Sequence, residues 1–353
     1  MKPLARTIPF LLALSVALLT LLACSAPSGA TQTGHNQPGA ARTIIDSVGR
    51  HVHLLAHVQR VATVGSVPVL NSFPFAVGAG NTIVNGIPGG NAAGYASYTV
   101  LAPKLLNAPN VESSIGAPPN TEALLALKPD VVLTDSVQFA DQIQSIGIPS
   151  VVLSLETGDK IKEAVLVTGE VLGRQQQAAD YVSYFDDVVV RVRKIAQTIP
   201  ENARPTVLYI DLHPLRRPNR IMEWMLDQVG ARSVTHDVQI GQYKFDIEQL
   251  QQWNPDVLIG MEPNDRTGLT TDPRFTDLRA VQSGRIGIIP TGIQIWGNNT
   301  AEQPLALLWV AKYVFPQQFA HINLPAETKS FYQRYFNITL TDPQVQQLLA
   351  STL

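Results

Sequence analysis

The stretch NTEALLALKPDVVLTD, residues 120–135, returns 126 positions later as DIEQLQQWNPDVLIGM, residues 246–261. Aligned on Glu122 and Glu248, the copies match at Leu124 and Leu250, and at Leu127 and Trp253. They match again at the steps Pro129-Asp130-Val131 and Pro255-Asp256-Val257. Asn120 and Asp246, two residues before each glutamate, are good helix N-caps, because a short side-chain oxygen accepts from the free N–H groups of a first turn. The proline closes each helix, since its ring crowds the preceding residue out of helical backbone. The apolar run that follows reads as a buried strand. Each copy is therefore cap, short amphipathic helix, turn, buried strand. That phrase is common in α/β proteins and two copies can arise by chance. Its place on either side of one long helical segment favours two similar α/β lobes.

The chain has 353 residues, 45% of them hydrophobic and 15% charged, with a formal net charge of −2. The length suits two domains, and the lack of a basic excess argues against nucleic acid as a partner. A single cysteine, Cys24, excludes internal disulfides and multi-cysteine metal sites. It stands at the end of a positively charged start (Lys2, Arg6) and the apolar run IPFLLALSVALLTLLA, residues 8–23. That run is short for a membrane span. Leu21-Leu22-Ala23-Cys24 resembles the lipobox of bacterial lipoproteins, in which the thiol accepts a diacylglycerol and the preceding peptide is removed. A transmembrane anchor or a plain secretory signal is the alternative. Residues 1–23 are thus expected to be a lipoprotein signal peptide. The lipidated cysteine and the Gly/Pro-rich residues up to 43 would form a flexible tether.

From residue 44 onward, apolar runs of strand length alternate with helical patterns, which points to βα units and mostly parallel sheets. RTIIDSVGRHVHL (42–54) is a hairpin signal, RVATVG (60–65) a strand, VPVLNSFPFAVG (67–78) a helix and TIVNG a strand. GIPGGNAAGYASYT (86–99) must be an irregular loop. Residues 175–198 hold no Gly or Pro, and their apolar positions 178, 182, 185, 189, 192 and 195 run at helical spacing. Such a helix would be roughly 36 Å long. The expected organisation is an N-terminal lobe over 44–172, a connecting helix within 173–200 and a C-terminal lobe over 201–353.

With IIDSVGRHVHLLAHVQRVATVG, EALLALKPDVVLTD, the connecting helix and IEQLQQWNPDVLIG in that order, the chain resembles the substrate-binding lipoproteins of ABC importers for iron-siderophores, haem, cobalamin and other metal chelates. The resemblance covers nearly all of residues 43–353. It implies a class III periplasmic-binding-protein-like fold, with two lobes bridged by one rigid helix. It also implies an extracytoplasmic, membrane-anchored monomer that captures a metal chelate, holds no cofactor and catalyses nothing. The partner would be a permease dimer with its ATPase subunits. In that family one surface glutamate per lobe docks onto permease arginines, and Glu122 and Glu248 match those positions. A first-turn carboxylate is favoured by the helix dipole and suits the fork of an arginine. Helix stabilisation alone is the other reading of both.

Ligands of two-lobed α/β proteins bind outside the carboxyl ends of the strands. The candidate loops are 65–72, 87–99, 113–119, 135–138, 211–220, 262–270 and 291–299. Within them Tyr95 and Tyr98 could stack on a chelate or ligate ferric iron. Arg216, Arg217 and Arg220 could meet an anionic chelate, and Trp296 could wall the cleft. His213 is a weaker metal candidate. Each has a plainer reading as surface, helix-start or core residue. His51 and His53 share a strand face but lie where the family has no ligand site. A free metal ion, a metal–amino-acid complex or an oxyanion remains an alternative cargo. An enzyme of the cleft is disfavoured, because no GxxxxGK[ST], GxSxG or HExxH motif is present.

Overall fold

The computed structural model describes residues 41–89 and 95–350. The signal, Cys24 and the tether up to residue 40 lie outside the described residues, as do the tip of the glycine-rich loop and the last three residues, while Arg42 and Thr43, expected in the tether, pair in the first strand. Among the described residues no helix is long and apolar enough to cross a membrane.

The chain opens with the expected hairpin. Strands β1 (Arg42–Ile45) and β2 (His51–Leu54) pair antiparallel with Ile44 opposite Val52. Asp46 shapes the turn by accepting from the backbone N–H groups of Val48 and Arg50. The first sheet is parallel, in the order β3 (Val61–Val64), β4 (Val131–Thr134), β5 (Ser150–Val152). The TIVNG segment joins it only through an isolated bridge from Ile83 to Val61, not as a strand. The second sheet is built on β6 (Thr206–Leu212), β7 (Leu215–Arg217), β8 (Arg232–Ser233), β9 (Tyr243–Lys244), β10 (Val257–Gly260) and β11 (Ile286–Ile288). Strands β8, β6, β10 and β11 run parallel, while β7 and β9 add an antiparallel extension at the far end of β6. DLHPLRRPNR, expected as a loop, instead folds as part of that hairpin extension.

The repeated phrase folds alike in both sheets. Asn120 caps the helix Thr121–Leu127 by accepting from Ala123 N–H, and Asp246 caps Ile247–Trp253 by accepting from Gln249 N–H. Each helix ends on a left-handed residue directly before the proline, Lys128 at φ 48° and Asn254 at φ 40°. The repeated aspartate then ties its strand to the neighbour. Asp130 Oδ2 accepts from the N–H groups of Gln59 and Arg60, each at 2.8 Å. Asp256 Oδ2 accepts from Thr206 N–H and Thr206 Oγ1, also at 2.8 Å. The registers agree too, with Val131 opposite Val61 and Val257 opposite Val207.

The connecting helix spans Gln175–Ala196, 22 residues and about 33 Å at 1.5 Å per residue. Its buried stripe is Ala178, Tyr181, Phe185, Val188, Val192 and Ala196. The stripe lies one residue round from the expected one at three positions, and Val182, Val189 and Ile195 flank it half-buried. It packs against Gly158–Leu172 from the first half and against Ile221–Val229 and Gln303–Val314 from the second. One apolar core therefore runs from the first sheet through the connector into the second, and full burial of each such side chain contributes about 1.5–3 kcal/mol.

Candidate functional site

Between the two sheets, at the carboxyl ends of their strands, lies a cavity of about 400 Å³. The first half supplies Ser66 and Val69 after β3, Asp135 after β4 and Glu156 after β5. The second supplies Asn219, Gln242, Gln294, Asn298 and Asn299. The wall is thus two carboxylates, five amides and a hydroxyl over an apolar floor that includes Leu153 and Leu155, and no described basic side chain lines it. The loops expected at 65–72, 113–119, 135–138, 211–220 and 291–299 all reach this cavity. The segment after β5 and Gln242 reach it as well and were not expected. A hollow of about 370 Å³ beside the connecting helix and another of about 790 Å³ at the base of the second sheet lie away from these strand ends.

Two buried carboxylates shape the floor. In the first half, Glu112 Oε1 accepts from Gly65 N–H at 3.0 Å, while its Oε2 has no partner among the described residues. Gly65 sits at φ +107°, and a Cβ there would lie 2.2 Å from Asp135 Oδ1, so the turn out of β3 requires glycine. Burial pushes the Glu112 carboxyl up to about 7; the Gly65 N–H opposes this and the Asp135 charge adds to it. In the second half, Glu302 is fully buried. It accepts from Ile293 N–H and Gln294 N–H, each at 3.0 Å, from Thr300 Oγ1 and from the Tyr332 hydroxyl. Burial raises its pKa, and those donors hold it down. Gly292 is needed here, since a Cβ would fall 1.8 Å from Glu302 Oε1. Nothing local in the sequence marks either glutamate as buried; only the company of glycines at the strand ends hints at a close approach.

The loop that Glu302 holds also stitches the halves together. Asn299 Nδ2 donates to Leu155 O, Ala301 N–H to Ser72 Oγ at 2.9 Å, and the Tyr181 hydroxyl of the connector to Ala301 O. Asn219 Nδ2 holds the same loop from the second sheet through Gly297 O and Asn298 Oδ1.

Several candidate residues fall elsewhere. Tyr98 is fully buried, with its hydroxyl accepting from Asn71 Nδ2 at 3.4 Å, so its ring belongs to the core. Tyr95 is half-buried and packs edge-on against Tyr98 at 5.8 Å. Burial raises its pKa, and the charge of Glu262 in the other half adds to this. Arg217 is fully buried, paired with Glu223 at 3.0 Å and donating to the carbonyls of Val238 and Ile240. It ties β7 to the segment leading into β9 and does not meet the cavity; the carboxylate and carbonyls engage both Nη atoms, which a buried guanidinium needs, while Nε has no partner among the described residues. Arg216 is held by Asp211 at 2.8 Å and donates to Gln242, beside the cavity but not on its wall. Arg220 donates to Gln239. Trp296 is fully buried within the loop that Glu302 holds. His213 is exposed in a neighbouring hollow with Asp211 and Glu262. No group of three or more potential metal ligands occurs among the described residues. Glu122 and Glu248 are both exposed, without an ion pair to a described residue. Each helix runs antiparallel to the strand it precedes, so both glutamates stand at the end of the fold that carries the cavity.

Comparison with known proteins is consistent with this arrangement. The family model described as Periplasmic binding protein matches residues 91–291. The molybdate-binding protein MolA of Haemophilus influenzae is 25% identical over 327 residues, 84% of this chain and 91% of that protein. The iron(3+)-hydroxamate-binding protein YxeB of Bacillus subtilis is 24% identical over 199 residues, 55% of this chain and 57% of that protein. Among solved structures, a periplasmic solute binding protein from Veillonella parvula superposes with a TM-score of 0.75 at 24% identity, covering 88% of this chain and 97% of that one. MolA bound to molybdate superposes with a TM-score of 0.75 at 22% identity, covering 85% and 99%.

Proposed function

The chain belongs to the periplasmic binding protein family, as an extracytoplasmic solute-binding component of an ABC importer and not an enzyme, and from that premise we propose that its cargo is a compact metal complex without net negative charge. One observation carries this reading: the cavity wall holds Asp135, Glu156 and five amides, and no described basic side chain. A volume of about 400 Å³ suits a small polar ligand. Amide and carboxylate groups would hydrogen-bond to the water or ligand shell of a metal, and the two charges would attract a cationic complex. The three arginines expected to greet an anionic siderophore or haem propionates are occupied by Asp211, Glu223 and Gln239.

A second reading, a metal oxyanion, is favoured by the similarity to MolA over most of both chains. Such a cargo would rely on the amide donors and on the amino end of the helix Val67–Ala76, whose Ser66 and Val69 border the cavity. Calorimetric titration with nickel–histidine complex, ferric hydroxamate and sodium molybdate separates the readings. Binding of the nickel complex without molybdate binding supports the first. Molybdate binding alone overturns it.

The carboxylates Glu122 and Glu248 would dock on the permease, one on each of its subunits, and Cys24 would carry the lipid anchor. Mass spectrometry of the membrane-extracted protein should show an N-terminal diacylglyceryl cysteine at Cys24, and Cys24→Ser should abolish that mass; an unmodified Cys24 would speak against lipidation.

A further inference from the structure

The base of the second sheet, opposite the cargo cavity, carries a groove of about 790 Å³ lined by Arg204, Arg232, Arg279 and Arg285. The sheet itself assembles it. Strands β8, β6, β10 and β11 lie side by side, and their first residues or the residues just before them are Arg232, Pro205 with Thr206, Asp256 and Arg285. Three strand spacings of about 4.8 Å put Arg232 and Arg285 roughly 14 Å apart at the backbone, so their long side chains can converge from both ends of one row.

The one carboxylate among the described residues of the groove wall is already engaged. Asp256 accepts from Thr206 twice and pairs with Arg279 at 2.8 Å. Partial burial would raise its pKa, but the Thr206 bonds and the charges of Arg279 and Arg232 outweigh this and hold it below the usual carboxylate range. Three guanidinium charges are left without a carboxylate among the described residues. Two of them spend a single hydrogen bond on the structure: Arg204 Nε donates to Ile199 O and Arg285 Nη2 to Val314 O. Each keeps several donors free. Arg232 is exposed, and its side chain bonds to no described residue. Capping of carbonyls explains part of Arg204, Arg279 and Arg285, but it leaves Arg232 and the surplus charge unexplained. The first sheet has no such feature at its described base, where Arg60 spends Nε and Nη2 on the Lys128 and Leu127 carbonyls.

We propose that this groove is a second binding site, separate from the cargo cavity, for a phosphate-bearing polyanion. Arginine forks match phosphate oxygens bidentately, and Gln282 and Gln317 on the same wall add neutral donors. A diphosphate, or the headgroups of an anionic lipid surface, spans the row from Arg232 to Arg285.

The test uses the unlipidated chain from residue 24 onward, made without the apolar residues 1–23 and with Cys24→Ser, with no cargo present, so its outcome is independent of the cavity. Inorganic pyrophosphate is titrated by calorimetry at low and high sodium chloride, and sedimentation is compared with vesicles of phosphatidylglycerol and of phosphatidylcholine. Salt-sensitive binding is expected that falls about tenfold or more in Arg232→Glu/Arg285→Glu. Arg232→Gln, whose wild-type side chain carries no structural bond, should weaken it about threefold or more at an unchanged melting temperature. Response to phosphatidylglycerol vesicles but not to pyrophosphate identifies lipid headgroups as the ligand; the converse identifies a soluble polyphosphate. The proposal is overturned if wild type binds neither probe, or if Arg232→Gln and the double variant both bind as wild type does.

Discussion

The two halves share a skeleton and differ in how they bury polar groups. Cap, left-handed stop, proline and strand-tying aspartate recur in both with matching register. Above that common frame, the first half builds a neutral network beside its buried carboxylates Asp46 and Glu112. Thr63 Oγ1 donates to Asn71, Thr63 N–H donates to Asn85 Oδ1, and Asn85 Nδ2 donates back to Thr63 O. The second half adds a buried ion pair, Arg217 with Glu223 beside β7, and holds Glu302 under its cavity loop. Even the paired floor carboxylates differ: Glu302 has four donors, whereas Glu112 has one and an orphaned oxygen. Duplicated backbone therefore constrains architecture, while the buried polar chemistry of each half has its own logic.

The sharpest challenge to the likeness of the halves is functional. Reversing both exposed glutamates, Glu122→Arg with Glu248→Arg, should lower transport in proteoliposomes about a hundredfold or more, since each arginine–carboxylate pair with the permease would contribute about 1.5–3 kcal/mol. Cargo affinity should stay unchanged. The single variants should fall equally if the halves dock equivalently; a fall confined to one would break the symmetry.

Next in size is the contrast between ionic and neutral burial. Arg217→Ala should destabilise by about 3–5 kcal/mol in urea unfolding, because it leaves Glu223 buried and unpaired. Asn85→Ala in the first half should cost only about 1–3 kcal/mol. Equal destabilisation would erase the distinction.

A smaller effect separates the floor carboxylates by pH. Glu112 titrates near 7 in the folded protein, against a usual value of 4.5. The folded state therefore holds more protons than the unfolded one between those values, so stability falls as pH rises from about 4.5 to 7 and levels off above. After allowance for solvent screening at the turn, the decrease is about 1–2 kcal/mol. Glu112→Gln should remove that slope from a series of melting temperatures, and an unchanged slope would assign it to other groups.

The smallest difference concerns the repeated aspartates. Asp130→Asn and Asp256→Asn should each cost about 1 kcal/mol in urea unfolding, with Asp256 the larger by a few tenths because it also pairs with the exposed Arg279. A larger effect at Asp130 would reverse the ranking.

Much of this architecture was legible in the residues. Caps and breakers act within one or two turns, so Asn120, Asp246, Pro129 and Pro255 announce themselves. The connector shows in an unbroken helical pattern, and the strand-end rule finds most loops of the cavity. Individual roles were not legible, because they depend on distant partners. Arg217 looks like a free cation until Glu223 and the carbonyls of β9's approach segment close around it. Tyr98 and Trp296 sit in loops by pattern and in the core by packing. Glu112 and Glu302 look like solvated charges, since no local spacing tells that 47 and 9 residues away a turn offers them backbone N–H groups.

The stitches between the halves, Asn299 to Leu155 and Ala301 to Ser72, carry a kinetic message. Two such bonds contribute on the order of 2 kcal/mol net, a gap that thermal motion crosses in roughly 3% of molecules. An empty receptor would therefore already sample a loosened seam. The transporter would have only to catch and hold that minority form, not wrench a locked jaw apart.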